Sequence, residues 1–254
     1  MFPVRGREPV LVVVAHGSRD PRHAATVHAL VARVRSLRPG LRVETGFLDF
    51  NLPSVPAVLA SLAAEGVDDV IALPLLLTRA FHAKADIPAV LREAPPGMRV
   101  RQAEVLGPSP LLVAGLERRL YEAGLTDGDR SSTGVVLASA GSTDPEAIAV
   151  IGRLAREWRR RGGWRAVTPA YASARLPRTE DAVRELFAAG CARVVVAPYV
   201  LAPGFLPDRI VRGAGAAGAD VVGAVLGDGV EVARVVLQRF EGAWDASGAV
   251  AVGA

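Results

Sequence analysis

Short apolar runs alternate along this chain with longer stretches in which apolar residues recur every three or four positions. Val10–Ala15 is an unbroken apolar run between Pro9 and His16, as expected of a strand buried on both faces of a parallel sheet. Over residues 21–37, Ala24, Val27, Leu30, Val31 and Val34 fall at helical spacing, and Pro39 with Gly40 stops the run. The same reading predicts a strand over 41–48, a helix over 54–65 and a strand over 69–77. A helix over roughly 85–94, a strand near 99–105 and a helix over 109–123 follow. Strands alternating with helices imply a parallel sheet with right-handed crossovers.

The pattern then runs again at a constant offset of 124 residues. Residues 12–21, VVVAHGSRDP, align with 136–145, VLASAGSTDP; Leu52 and Pro53 match Leu176 and Pro177, and Pro74, Leu77 and Phe81 match Pro198, Leu201 and Phe205. Residues 12–88 and 136–212 align without a gap and share 18 of 77 positions. Such a match indicates a tandem duplication. The predicted fold is therefore α/β, with two doubly wound parallel-sheet halves of four or five strands each. The first half is residues 1–124 and carries the candidate site. A degenerate second repeat spans 134–245 and ends in a helix over 230–242. Residues 125–133 read as the linker and 246–254 as a flexible tail.

Composition narrows the function classes. Of 254 residues, 50% are hydrophobic and 22% charged, which excludes a disordered chain. No run of about 20 apolar residues exists, so no membrane span is expected. The net charge of +4 is spread evenly, with 15 basic and 12 acidic residues in 1–124 and 15 and 14 in 125–254. Neither half carries the concentrated basic field of a nucleic-acid binder. Cys191 is the only cysteine, which excludes an internal disulfide or a cysteine-cluster metal site and suits a reducing cytoplasm.

In sheets of this kind ligands bind beyond the carboxyl ends of the strands. His16 follows the first strand, Asp49 the second and His82 the third, at intervals of 33 and 33 residues. Two imidazoles and a carboxylate suit a borderline divalent metal such as Fe, Co, Ni or Zn. They could equally form an acid–base cluster near neutral pH. At the 124-residue offset these positions become Ala140, Ser173 and Leu206, while Gly141, Ser142, Asp144 and Pro145 are kept. The second copy thus lacks all three groups together, which points to one site in one half. His23 and His28, five residues apart on the first helix, read as surface or partly packed histidines.

HGSRDP after the first strand, FLDFNLP after the second and LPLLLTRAFHAKADIP around the third resemble the CbiX/SirB sirohydrochlorin chelatases, in their long, duplicated form. The resemblance implies ATP-independent insertion of a divalent metal, Co²⁺, Fe²⁺ or Ni²⁺, into sirohydrochlorin for siroheme or cobalamin synthesis, with no organic cofactor. It places the family's metal-associated histidines on His16 and His82. The family's usual acidic residue falls on Asp49, where glutamate is commoner. Metal insertion requires loss of two pyrrole protons, and a neutral imidazole can accept protons or hold the metal. His16 is expected as leading base and metal-delivery ligand, with His82 opposite and Asp49 as carboxylate ligand. Ser18, Arg19, Arg79 and Lys84 flank the histidines and are candidates for the carboxylate rim of the substrate. Asp86 reads as capping or orienting the following helix, not as a metal ligand. If the halves enclose a planar ring, Phe205, Leu206 and Arg209 would face it from the second half. A monomer is expected, because duplication supplies within one chain what a homodimer of short members supplies between two. The competing readings are a non-catalytic tetrapyrrole or metal carrier and a His16-dependent phosphatase. The dinucleotide motif formed by Gly213, Gly215 and Gly218 is rejected, because it follows a helix instead of a strand.

Overall fold

A computed structural model describes residues 8–79, 85–126, 128 and 130–250. The first half runs β1 (Val10–Ala15), α1 (Pro21–Leu37), β2 (Val43–Phe47), α2 (Val55–Ala64), β3 (Asp69–Pro74), α3 (Ile87–Leu91), β4 (Arg99–Gln102) and α4 (Pro110–Glu122). After a short 3₁₀ turn the second runs β5 (Thr133–Ser139), α5 (Pro145–Gly162), β6 (Ala166–Tyr171), α6 (Thr179–Ala188), β7 (Arg193–Tyr199), α7 (Phe205–Ala216), β8 (Val221–Val222) and α8 (Val230–Val250). Each half is a four-stranded parallel sheet, ordered β2-β1-β3-β4 and β6-β5-β7-β8. The doubly wound duplicate predicted from the periodicity is the observed fold. Two helices differ in length from their patterns, one shorter and one longer. The helix expected over 85–94 is regular only from Ile87 to Leu91, because Pro95 and Pro96 disfavour helical backbone just ahead of them. At the other end, α8 passes residue 242 and continues to Val250.

Side chains of the central strands divide between two layers by the period of two. Val10, Val12 and Val14 of β1 pack outward with Val55, Leu59 and Leu62 of α2. Leu11, Val13 and Ala15 turn inward to a core shared by both halves, where Val135 and Leu137 of β5 and Val195 and Ala197 of β7 meet them. Val136, Ala138, Val194 and Val196 face a third cluster with α6 and α7. The order of layers is therefore outer helices, first sheet, inner helices, second sheet, outer helices.

Two of the inner helices do not stay with their own sheets. α4, encoded in the first half, lies on β7 of the second, and α8, encoded in the second, lies on β3 and packs against α1 and α4. Val232, Val235, Val236 and Phe240 of α8 are fully buried in the shared core. At about 1.5–3 kcal/mol for each side chain, that burial is of order 6–12 kcal/mol, comparable with the whole stability of an ordinary domain. Polar contacts fix the seat. Arg239 of α8 donates to the carbonyls of Val105 (2.8 Å), Leu106 (3.0 Å) and Pro108 (3.1 Å). Arg118 of α4 forms a forked pair with Glu231, both bonds at 2.9 Å. The two repeats thus exchange their last helices, α4 and α8.

Candidate active site at the strand ends of the first half

Beyond β1 the chain must reverse at once into α1, and Gly17 makes this possible. Its φ is +93°, and a β-carbon there would lie 1.8 Å from the Asp49 carbonyl oxygen. The close approach lets the loop after β2 pair with the loop after β1. The Asp49 amide donates to the His16 carbonyl at 2.9 Å. The Ser18 amide donates to Asn51 Oδ1 at 2.8 Å. Asp20 then caps α1, accepting from the Arg22 amide at 2.9 Å, and Ser18 Oγ accepts from the Asp20 amide at 3.1 Å. Ser18 therefore helps to build the turn, and the helix N-terminus already holds a carboxylate.

These bonds bring His16 and Asp49 together on neighbouring strand ends. The half-buried His16 ring lies nearly parallel to the Phe50 ring, 6.4 Å between centroids and 9° between planes. The Arg19 guanidinium sits 5.2 Å from the centre of the same ring. Asp49 is exposed, and its Oδ1 accepts from the Phe50 amide at 2.8 Å. Phe50 has φ +60°, a backbone state that costs a bulky residue of order 1–3 kcal/mol. Ala174, its counterpart, has φ +59°, so the strain belongs to the loop common to both halves.

Of the other sequence candidates, Arg79 lies in the loop beyond β3, exposed, 3.6 Å from Glu104. It lines a cavity of about 420 Å³ with Glu104, Gly107 and Pro108 of the first half, Glu146 and Arg153 of α5, and Arg239. His82 and Lys84 lie outside the described residues. Among the described residues no group of three or more His, Cys, Asp and Glu side chains could hold a metal ion. Asp86 corrects the expected cap: its backbone is already helical and its side chain makes no capping bond.

Two contributors were not legible in the pattern. Asn51 joins the first two loops, and its place in FLDFNLP was the available signal. His23, read from sequence as a partly packed histidine, is indeed half-buried, yet it also lies within electrostatic reach of His16. Burial holds its imidazole below the ordinary value, positive charge on His16 acts in the same direction, and Asp20 opposes both. His28 is exposed, its ring edge-on to Phe47 at 5.8 Å.

In the second half the residues expected to face the crevice divide. Leu206 packs into the outer core, while Phe205 is 72% exposed. Arg209 lines a groove between α6 and α7. Arg22 at the start of α1 ties the halves together here, forking onto Asp208 of α7 at 2.6 and 3.3 Å.

Fold and strand-end loops together define a two-repeat α/β protein in which the His16 and Asp49 loops meet at adjacent strand ends of the first sheet. The CbiX family model matches residues 10–123 and again 134–243, so the chain belongs to the CbiX family. It is 27% identical over 205 residues to the sirohydrochlorin cobaltochelatase of Priestia megaterium, covering 79% of this chain and 66% of that one, just under two-thirds. It is also 27% identical over 203 residues to the sirohydrochlorin ferrochelatase of the same organism, covering 79% and 76%. Among solved structures, SirB from Bacillus subtilis with Fe³⁺ superposes with a TM-score of 0.82 at 24% identity, over 95% of this chain and 98% of that one. That superposition shows the shared fold. No described helix is long and apolar enough to cross a membrane.

Proposed function

We propose that the protein is an ATP-independent sirohydrochlorin chelatase, inserting Co²⁺ or Fe²⁺, with Ni²⁺ as a third candidate, in siroheme or cobalamin synthesis. The observation that carries this reading is the pairing of His16 with Asp49 across two strand ends in the first repeat alone. The second repeat builds the same loops around Ala140 and Ser173. Family membership and relatives named as cobalto- and ferrochelatases support it.

In the proposed reaction the metal sheds water, binds four ring nitrogens and displaces two pyrrole protons. His16, half-buried and held against Phe50, accepts a proton or passes the metal to the ring. Asp49 keeps one oxygen on the Phe50 amide, which fixes the carboxylate while its other oxygen faces the metal or the water it loses. His82 acts with them, and Ser18, Arg19, Arg79 and Lys84 meet the carboxylate rim. Cytoplasmic location and a monomeric state complete the proposal. No organic cofactor is required, since the metal is itself a substrate.

The test is an absorbance assay with sirohydrochlorin and Co²⁺, Fe²⁺ or Ni²⁺ in turn. Many turnovers per chain with at least one metal are expected. Binding that stops at one equivalent would replace the chelatase with a carrier. Hydrolysis of phosphomonoesters without metallation would replace it with a phosphatase.

A further inference from the structure

A groove runs between α6 and α7 of the second half. It encloses about 480 Å³ and is lined by Arg184, Arg209, Arg212, Glu180 and Phe205. Arg184 has only a 3.6 Å contact with Asp181, and among the described residues Arg209 and Arg212 make no ion pair. Phe205 and Arg209 are one turn apart on α7 and share a face, so an exposed aromatic ring stands beside two unneutralised guanidinium groups. At the 124-residue offset the three arginines become Ala60, Ala85 and Pro88, so the arginine trio belongs to the second repeat alone. The position also matters. Asp208, within the same turn of α7 as Phe205, is bound by Arg22, which is held in turn by the Asp20 cap of the His16 loop. The aromatic end of the groove therefore lies on the turn of α7 that Arg22 ties to the first-half loop.

Guanidinium groups fork onto carboxylates, and an exposed aromatic ring stacks on planar apolar surfaces. We propose that this groove docks the edge of a planar aromatic macrocycle bearing several carboxylates, as a second subsite separate from the metal-handling loops. The ligand class rests on the chelatase reading, so the test is a binding measurement that does not depend on turnover. Fluorescence titration with uroporphyrin, an octacarboxylate porphyrin, compares the native chain with the double variant Arg209→Ala/Arg212→Ala. The control Arg159→Ala/Arg160→Ala removes the same charge from the end of α5, on the other face of the second sheet. The groove variant should bind about tenfold more weakly and the control within about twofold. In the metallation assay the groove variant should lose kcat/KM by a similar factor while kcat holds. All of these side chains lie at the surface, and unchanged melting temperatures confirm folding. Equal weakening by both pairs would reduce the effect to net charge and overturn the site, as would no weakening at all. Loss of uroporphyrin binding by the groove variant, in a protein that metallates nothing, would leave the subsite standing and defeat the chelatase reading instead.

Discussion

The loops after β1 and β2 can be laid over those after β5 and β6 bond by bond. The Asp49 amide donates to the His16 carbonyl at 2.9 Å, and the Ser173 amide donates to the Ala140 carbonyl at 2.9 Å. The Asn51 amide reaches Asp49 at 2.7 Å, and the Arg175 amide reaches Ser173 at 2.7 Å. Gly17 and Gly141 have φ of +93° and +91°, and Leu52–Pro53 and Leu176–Pro177 are both cis. Only the side chains differ: imidazole and carboxylate on one side, methyl and hydroxyl on the other. Ser173 uses its hydroxyl inside the loop, donating to the Ala140 carbonyl at 2.7 Å. The backbone frame is thus independent of the site it carries, and chemistry can be kept in one repeat while the other turns its surface to different use.

Separating the repeats should have the largest effect. Residues 1–124 alone would lack α8 over β3 and would leave α4 without β7. Expressed by itself, that fragment should be unfolded or aggregated and without activity, by circular dichroism and size exclusion. Co-expression with 125–254 should restore part of the rate. A folded, active monomer of 1–124 would show that the exchanged helices are dispensable.

Within the intact chain, His16→Ala should cut metallation by about 10²–10⁴-fold with an unchanged melting temperature. Ala140→Ser or Ser173→Asn should leave the rate within about threefold in a folded protein. A normal rate for His16→Ala would remove it from the mechanism, and a collapse for the second-half changes would place a site there.

The glycines separate frame from chemistry. A β-carbon at Gly17 would meet the Asp49 carbonyl at 1.8 Å, and one at Gly141 the Ser173 carbonyl at 2.1 Å. Alanine at either should cost about 2–4 kcal/mol in denaturant melts. Gly17→Ala should also displace His16 from Asp49 and lose activity, whereas the Gly141→Ala protein that remains folded should turn over normally. Unequal costs would mean that the two frames are not equivalent.

The smallest effect concerns pH. Burial lowers the His23 pKa, so the unfolded chain binds its proton more readily. Stability from this group is complete above the ordinary imidazole value of about 6.5 and falls as pH drops through it toward the lower folded value. His23→Gln should flatten the acid side of a melting-temperature profile between about pH 7 and 5. Its counterpart Ala147 contributes no such dependence, and an unaltered profile would place His23 in solvent.

Much of this was legible in the chain. Val10–Ala15 and the run from Val70 to Pro74 announce buried strands by unbroken apolarity, and the offset that aligns Gly17 with Gly141 predicted the same loops in both halves. The partners of α4 and α8 were not legible, because periodicity tells which face of Leu112, Leu116 or Phe240 is apolar and not which sheet covers it. His23 was hidden for a related reason. Its tie to His16 depends on how sharply the chain turns at Gly17, not on helical spacing. The three groove arginines stand on two successive helices with a strand between them, and only the packing of α6 on α7 assembles them.

The exchange of α4 and α8 also sets the order in which this protein can be made. As the chain leaves the ribosome, Leu11, Val13, Ile71 and Leu73 emerge early, but the helix that shields β3 is encoded after residue 229. The N-terminal sheet must therefore wait, partly uncovered, through the synthesis of the whole second repeat. Contacts between the ends of the chain raise its contact order and slow folding. Bare apolar strand faces during that wait are the circumstance in which a nascent chain engages chaperones. Ribosome-stalled chains ending before residue 230 should accordingly remain protease-sensitive throughout residues 10–75, and become resistant only once α8 is free of the exit tunnel.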